Sequence, residues 1–566
     1  MAFQLSPGVN VSEIDLTTIV PSVATSIGAF AGPFAWGPIG QVITISDEVR
    51  LAGEFGNPSS TNYEYWFSAA NFLAYTSNLK IVRAANTAST RNATANGTAI
   101  LIKNEDDYED NHSSGAAGAY NGFAARYAGV IGDTLKISMC DANTYTGWAF
   151  ASQFTSAPST STYVTNKGGA NDEIHIIVVD EDGLFSGTRG TVLEKFPFVS
   201  KASDGKDDSG NSNFYKNVLE NQSEYIYWMS HPAAANVAGG PVSNVVWGAA
   251  ATALPYQVLA ANTTVSLSGG ADGTITTANV VTAYDFFDNG DAVDISLVVS
   301  GPANATIITD LVSMAESRKD CVVFVSPEKA DCVDNAGNET TDIVAYRNTL
   351  TSSSYAFMDS GWKYQYDKYN DVYRWVPLNG DIAGLCARTD LERDAWFSPG
   401  GLNRGIIKNA IKLAWNPTKT NRDDLYTKGV NPVVSFQGEG TVLFGDKTLQ
   451  SKPSAFDRVN VRRLFIVLEK TIARAARFSL FEFNDQFTRA QFVALVEPFL
   501  RDVQGRRGIT DFRVVCDETN NTGQVIDSNQ FIGDIYIKPA RSINFIQLNF
   551  VAVRTGVSFD EVVGKF

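Results

Sequence analysis

Residues 456–503 read FDRVNVRRLFIVLEKTIARAARFSLFEFNDQFTRAQFVALVEPFLRDV. At ~100° per residue, Val461, Leu464, Phe465, Leu468, Ile472, Ala475 and Ala476 fall on one side of a helix. Arg463, Lys470, Arg474 and Arg477 fall on the other. The pattern predicts a helix that buries an apolar stripe and presents a four-cation stripe outward. A second helix is expected next. Thr488 and Gln491 have capping-box spacing, and Phe492, Leu495, Val496, Phe499, Leu500 and Val503 form an i, i+3, i+4 core face. Gly505 is placed to end it. Such a charge stripe is ordinarily a solvated helix face; its setting in an acidic chain favours a docking role.

That setting is lopsided. The 566 residues carry a net charge of −16, yet residues 401–566 hold 23 Lys+Arg against 17 Asp+Glu. An acidic bulk with a mildly basic C-terminal third suggests two surfaces with different partners. The excess is too small and too mixed with acids for a nucleic-acid binder. The length implies about three to four domains, and no run approaches the ~18 apolar residues of a membrane span. Met1–Gly8 lacks the basic and apolar regions of a secretory leader. The five cysteines, Cys140, Cys321, Cys332, Cys386 and Cys516, are odd in number and scattered, which suggests reduced thiols in a cytoplasmic setting.

Upstream, residues 1–20 read as an arm. Val9, Asn10, Val11 and Ser12 alternate like a short strand with no hairpin partner nearby, so their backbone groups must pair with something distant or with another chain. An α/β pattern follows in 21–86: Ser26–Phe30 as a buried strand, Asn62–Ala74 as an aromatic-rich helix, Leu79–Arg83 as a strand. Between about 87 and 200, small polar stretches alternate with β-rich runs such as Thr134–Met139 and Glu173–Val179, an inserted β-rich outer domain. The α/β pattern returns over 201–385. Ile295–Val299 and Val322–Val325 flank a helix carrying Ile307, Leu311 and Met314, a βαβ-like unit. Trp362–Tyr369 and Val372–Val376 form a hairpin across Asn370-Asp371. Residues 386–543 read as a C-terminal α/β domain, and 544–566 as a terminal arm. Within the alternating run Ile543–Val553, Phe545, Ile546, Leu548, Phe550 and Val551 suit pairing with a neighbour's sheet. The fold class is therefore α/β (α+β), multidomain, with extended terminal arms.

Chemistry is hard to find. Gly440–Thr448 resembles a phosphate loop, but Asp446 stands where Lys must follow the second Gly and would repel phosphate. His112, His175 and His231 have no zinc-ligand spacing, and no Gly-x-Ser-x-Gly elbow occurs. Asp180-Glu-Asp-Gly183 has its Gly too early for a calcium loop and reads as a hairpin turn. Asp106-Asp107 and Asp207-Asp208 sit in polar loops. No catalytic, cofactor or metal site is expected, and a hydrolase reading has no anchor.

Longer motifs carry more. Asn379-Gly-Asp-Ile-Ala-Gly-Leu-Cys-Ala-Arg-Thr-Asp390, Trp396-Phe-Ser-Pro-Gly-Gly-Leu-Asn-Arg-Gly405, Gly445-Asp-Lys-Thr448 and Phe456-Asp-Arg-Val-Asn-Val-Arg-Arg-Leu-Phe465 stand in sequence. Phe481-Glu-Phe-Asn484, Arg513-Val-Val-Cys-Asp517 and Lys538-Pro-Ala-Arg-Ser-Ile-Asn544 follow. Together they resemble the contractile tail sheath proteins of bacteriophages, closest to those of T-even-like phages. The likeness is dense from about Tyr355 onward, thins to scattered motifs in 1–354, such as Pro7-Gly-Val9 and Leu267–Gly273, and is essentially absent in 87–200.

The resemblance implies a structural subunit of the virion tail, assembled in the host cytoplasm. It would polymerise as stacked hexameric rings around an inner tail tube, with a baseplate and a tail terminator as further partners, and without nucleic-acid or membrane binding. It implies arms that exchange strands between copies, a tube-facing C-terminal domain and an outward-projecting insertion. The basic stripe then becomes a candidate tube contact. Two other readings stay open: the sheath of a related device (a bacteriocin or secretion system), and a carbohydrate-binding or adhesive side role for 87–200.

Overall fold

The computed structural model describes residues 24–115, 122–544 and 546–547. They fall into two compact units. The first holds the residues up to Ala395 with Pro399–Arg474; the second holds Trp396–Ser398 and the residues from Ala475 onward.

The first unit is built on a seven-stranded sheet. Its spatial order is Val430–Asn431, Ala356–Asp359, Val322–Val325, Leu297–Val299, Gly28–Gly32, Leu79–Arg83 and Ile43–Ile45. All pairings are parallel except that of the edge strand Ile43–Ile45. Strands such as Val322-Val-Phe-Val325 are apolar at every position because a parallel sheet is covered on both faces. Phe30, Leu297, Phe324 and Phe357 enter a core shared with the helices Tyr63–Leu73 and Asn379–Glu392. Ala29, Val298, Val323 and Met358 point the other way, into a core shared with the helices Thr277–Tyr284, Ala305–Arg318 and Glu339–Thr349. The βαβ unit is present, with Leu297 in register with Val322 and with Ile307, Leu311 and Met314 buried on the connecting helix. So is the hairpin, Trp362–Asp367 with Val372–Pro377, its turn taking Asp371 to φ 52°. The mixed α/β class read from the sequence is what the chain adopts.

The inserted body is larger than the sequence suggested. Its antiparallel sheet runs Thr263–Ser266, Leu135–Asp141, Glu173–Asp180, Thr191–Ser200, and bridges Arg91–Ala271 and Thr94–Ser268 close its stem. The limit expected at 200 falls inside it. The small polar run 200–213 suggested a domain edge, but Ser200 is buried and its N–H donates to Asn213 O (2.8 Å). The limit expected at 386 likewise cuts the helix Asn379–Glu392, and Val430–Asn431 from beyond it pairs with Met358–Asp359 in the central sheet.

In the second unit the helix Gln486–Gly505 lies against the hairpin Ile509–Val515 and Asp534–Pro539. Asp485 caps the helix, accepting from Thr488 N at 2.8 Å. Thr488 therefore sits inside the first turn rather than at its edge; Asp is at least as good an N-cap acceptor as Thr and starts the helix three residues earlier. Gly505 ends it as expected, and Arg507 turns the chain at φ 68°.

Candidate functional site

The helix Val459–Ala476 forms as the apolar periodicity demands, and Val461, Leu464, Leu468 and Ala475 are buried. The cations do not form an outward stripe. Arg463 is only 4 % exposed and pairs with Asp390 of the helix Asn379–Glu392. It also donates to Cys386 O (3.4 Å). Lys470 pairs with Asp294 and donates to Ile295 O (3.1 Å), while Arg474, more open, reaches the same carboxylate at 3.4 Å. Arg477 lies in the 3-10 turn after the helix and is exposed. A helical wheel gives the side of a residue but not the depth of what covers that side. Asp390 and Asp294 come from more than seventy residues upstream, so the wheel could not place them. Of the expected strand-exchange residues, Val9, Asn10, Val11, Ser12, Phe545, Leu548, Phe550 and Val551 lie outside the described residues. Ile546 is described and exposed.

The carboxyl ends of parallel strands are where α/β proteins place their ligands. Here a cavity of about 990 Å³ opens at the ends of Gly28–Gly32 and Leu79–Arg83, lined by Phe34, Arg83 and Asn304 among others, while the ends of Leu297–Val299, Val322–Val325 and Ala356–Asp359 are tied together by the motif beginning at Asn379. Asn379 N donates to Ser326 Oγ (2.9 Å), its Nδ2 donates to Gly301 O (2.8 Å), and its Oδ1 accepts from Gly301 N (3.2 Å). Ser326 Oγ in turn donates to Asp359 Oδ2 (2.7 Å). Two residues on, Asp381 meets Lys363 Nζ at 2.9 Å and accepts from Tyr75 OH at 3.1 Å. A serine, two carboxylates and a lysine thus stand close together, yet all four are buried, and their hydrogen bonds hold a helix N-terminus onto a sheet.

Among the described residues no cation pairs with Asp359. Burial pushes its carboxyl up to about 8, against the hydrogen bonds from Ser326 and Gly361 that favour the charged form. An acid whose folded-state pKa is raised costs stability as pH climbs from its unfolded value, ~3.9, to the folded one, and costs no more above it. Wild-type stability is therefore expected to fall between pH 4 and about 8. At ~1.4 kcal/mol per unit the loss is on the order of a few kcal/mol. Asp359→Asn, followed by urea unfolding at pH 5 and pH 8, should flatten this slope; an unchanged slope would mean that another group sets it.

Sequence reading missed the most exposed feature of the second unit. Phe478, Leu480, Phe481, Phe483 and Phe487 all stand in solvent, Phe481 fully so and Phe483 at 84 %. Five large apolar residues in ten, at spacings that fit neither helix nor strand, were the available signal. Exposed apolar patches of this kind mark protein contacts.

The titratable residues offer little beside it. His175 is buried, stacked on Phe154 at 4.2 Å, accepting at Nδ1 from Phe198 N and donating from Nε2 to Ser156 O. Burial pushes His231 down to about 4, beside the Tyr215 hydroxyl. The five cysteines are buried free thiols. Among the described residues no group of three or more His, Cys, Asp or Glu side chains could hold a metal, and no helix is long and apolar enough to cross a membrane. Gly440–Leu443 is one strand of an antiparallel hairpin, and Asp446 is buried against Arg458 and Tyr426.

Comparison with known proteins is consistent along the chain. Residues 273–449 match the phage tail sheath protein central domain, and residues 451–552 match the phage tail sheath C-terminal domain. The tail sheath protein of Enterobacteria phage T4 is 32 % identical, over 99 % of this chain and 99 % of that one. Among solved structures, the sheath tail protein from Listeria innocua superposes with TM-score 0.52 at 10 % identity, over 92 % of this chain and 97 % of the other. The helical sheath of the anti-feeding prophage in its contracted state gives TM-score 0.50 at 13 % identity, over 97 % and 99 %. With the α/β core and this full-length likeness together, the chain belongs to the tail sheath protein family of contractile phage tails.

Proposed function

We propose that the chain polymerises as stacked hexameric rings around an inner tail tube, above a baseplate and below a tail terminator. Rotation and outward movement of the subunits then shorten the sheath and drive the tube through the host envelope. The observation that carries this reading is the likeness to a phage tail sheath protein over 99 % of both chains. The subunit works without catalysis, cofactor, nucleic acid or membrane binding, and assembles in the host cytoplasm. The buried hydrogen bonds of Asn379, Ser326 and Asp359, which fasten a helix to three strand ends, support a mechanical part. The apolar loop Phe478–Phe487 supports extensive protein contacts.

The tube-facing role proposed for the basic stripe narrows to the exposed Arg474 and Arg477, because Arg463 and Lys470 are largely covered by their own chain. Exposed ion pairs contribute ~0–1 kcal/mol each, which suits a surface that must let go. Val9–Ser12 and Phe545–Val551 donate strands to neighbouring copies, and the insertion projects outward.

Negative-stain microscopy of the purified chain tests the reading. Hollow striated cylinders are expected from the intact chain and are expected to disappear when residues 1–20 and 544–566 are deleted. Cylinders that survive the deletion would remove the arms as connectors. A monodisperse monomer, even with tube and baseplate added, would remove the polymerisation itself.

A further inference from the structure

The contact between Lys363 and Asp381 is closer to a reaction geometry than to a plain ion pair. The lysine is the second residue of the strand Trp362–Asp367, and the aspartate lies in the first turn of the helix Asn379–Glu392. Lys363 Nζ stands 2.9 Å from both Asp381 oxygens. A nitrogen equidistant from the two oxygens at that range leaves the carboxyl carbon within the ~3–3.5 Å of a near-attack arrangement. Oδ1 takes a hydrogen bond from Nζ, whereas Oδ2, equally near, is buried with no hydrogen-bond partner among the described residues. Buried polar atoms left in that condition are few in native proteins and call for an explanation.

The surroundings favour an uncharged amine facing an uncharged acid. Burial pushes the lysine's pKa down and the aspartate's up, and both side chains are shut away from water. Lys363 Nζ is aimed by a second bond, to Lys408 O at 3.0 Å. Tyr75 OH donates to Asp381 Oδ1 at 3.1 Å and is itself fixed by Lys408 N, which donates to it at 2.7 Å. Burial raises the tyrosine's pKa, so its hydroxyl stays a donor. A donor already in place on the oxygen where charge develops eases acyl transfer. A further buried acid, Asp359, is raised by burial and also by the Asp381 charge, so loss of that charge would relieve it.

We propose that Lys363 and Asp381 close a covalent side-chain amide after the chain has folded, the ion pair being its precursor. A proton passes from the ammonium to Oδ2, which gives an amine and a carboxylic acid. Nζ then bonds to Cγ while Tyr75 holds Oδ1. The Cγ–Oδ2 bond breaks, and Oδ2 leaves as water with its own proton and one from the nitrogen. No oxidant, reductant or further reagent is consumed. Orientation of this kind is worth an effective concentration of ~10⁵–10⁸ M, and the bond removes two desolvated charges at once. In the product the remaining N–H keeps Lys408 O, Oδ1 keeps Tyr75, and the unpartnered Oδ2 is gone. The bond would join residues 18 apart in sequence and staple the helix to the strand. It stands independently of the sheath reading.

Peptide mapping of the full-length chain tests this. Chain kept folded at neutral pH after purification, then digested with trypsin, should accumulate a branched peptide. In it Lys363 resists cleavage and is joined to the peptide that carries Asp381, the whole one water lighter than the sum of its parts. The same chain held in concentrated urea should give none. Lys363→Arg keeps a cation without a comparable nucleophile and should lose the branched peptide entirely. Where that variant does not fold, the comparison of folded with urea-held wild type still decides. Tyr75→Phe should slow the accumulation roughly 100-fold or more; an unchanged rate would overturn the part given to Tyr75. A folded chain whose Lys363 stays fully cleavable would overturn the proposal. So would a loss of water with Lys363 unmodified, the mark of a succinimide at an aspartate.

Discussion

Gly380→Ala is expected to destabilise the chain by about 3 kcal/mol, near the upper end for adding one methyl to a packed core. A Cβ at Gly380 would sit 2.2 Å from Ser68 O, a main-chain atom of the facing helix Tyr63–Leu73. No rotamer relieves that contact, so the two helices would have to move apart. Interhelical distance is set by the side chains at the crossing, and here those are Gly380 and Ser68, both buried. Separation would also pull on Asn379, bonded to Gly301, and on Asp381, bonded to Tyr75 and Lys363. The same change at Gly53, inside the helix Glu48–Phe55, meets nothing within 4 Å. Gly53→Ala should stabilise by about 0.5–1 kcal/mol through backbone entropy alone. Opposite shifts in the apparent melting temperature are the expected result. Equal shifts would mean that the helices slide past each other freely.

What the sequence made legible follows from how local each signal is. Val322–Val325 and the helix Ala305–Arg318 declare themselves, because burial on both faces of a parallel sheet writes an uninterrupted apolar run and an amphipathic helix beside it. The Asn379–Asp390 motif was legible as a family mark but not as a mechanism. Its three polar jobs depend on Ser326, Gly301, Lys363 and Tyr75, which are brought to it from elsewhere in the chain. The basic stripe misled for the same reason: spacing along one helix cannot foresee Asp390 and Asp294 arriving on its cationic side. The insertion's far limit was hidden because Thr263–Ser266 pairs with Leu135–Asp141, a strand well over a hundred residues away. Small polar residues at 200–213 signalled a loop correctly and a boundary wrongly.

Lys363→Met is the other large effect expected, about 3–5 kcal/mol, the usual cost of removing one partner of a buried ion pair. Lys363 and Asp381 are 0 and 1 % exposed, and Lys363 Nζ also donates to Lys408 O at 3.0 Å. Burial pushes the lysine's pKa down and the aspartate's up, and each is held partly in its charged form by the other. With the ammonium gone, Asp381 keeps the Tyr75 hydroxyl, at 3.1 Å, and a main-chain N–H against a desolvated carboxylate. Its folded-state pKa must rise further. The variant's stability should then be highest in acid, where Asp381 is protonated in both states, and fall as pH rises from its unfolded pKa toward the raised folded one. Adding Asp381→Asn should recover a substantial part of the loss at pH 7 and remove that added slope, because a neutral amide leaves no charge to strand in the core. A double-mutant cycle read by urea unfolding at pH 5 and pH 8 separates the pair's coupling from simple repacking. Additive losses with no pH dependence would show that Lys363 matters for its bulk. Strong coupling with the acid-favoured profile would show that the charge pair itself fastens the helix to the sheet.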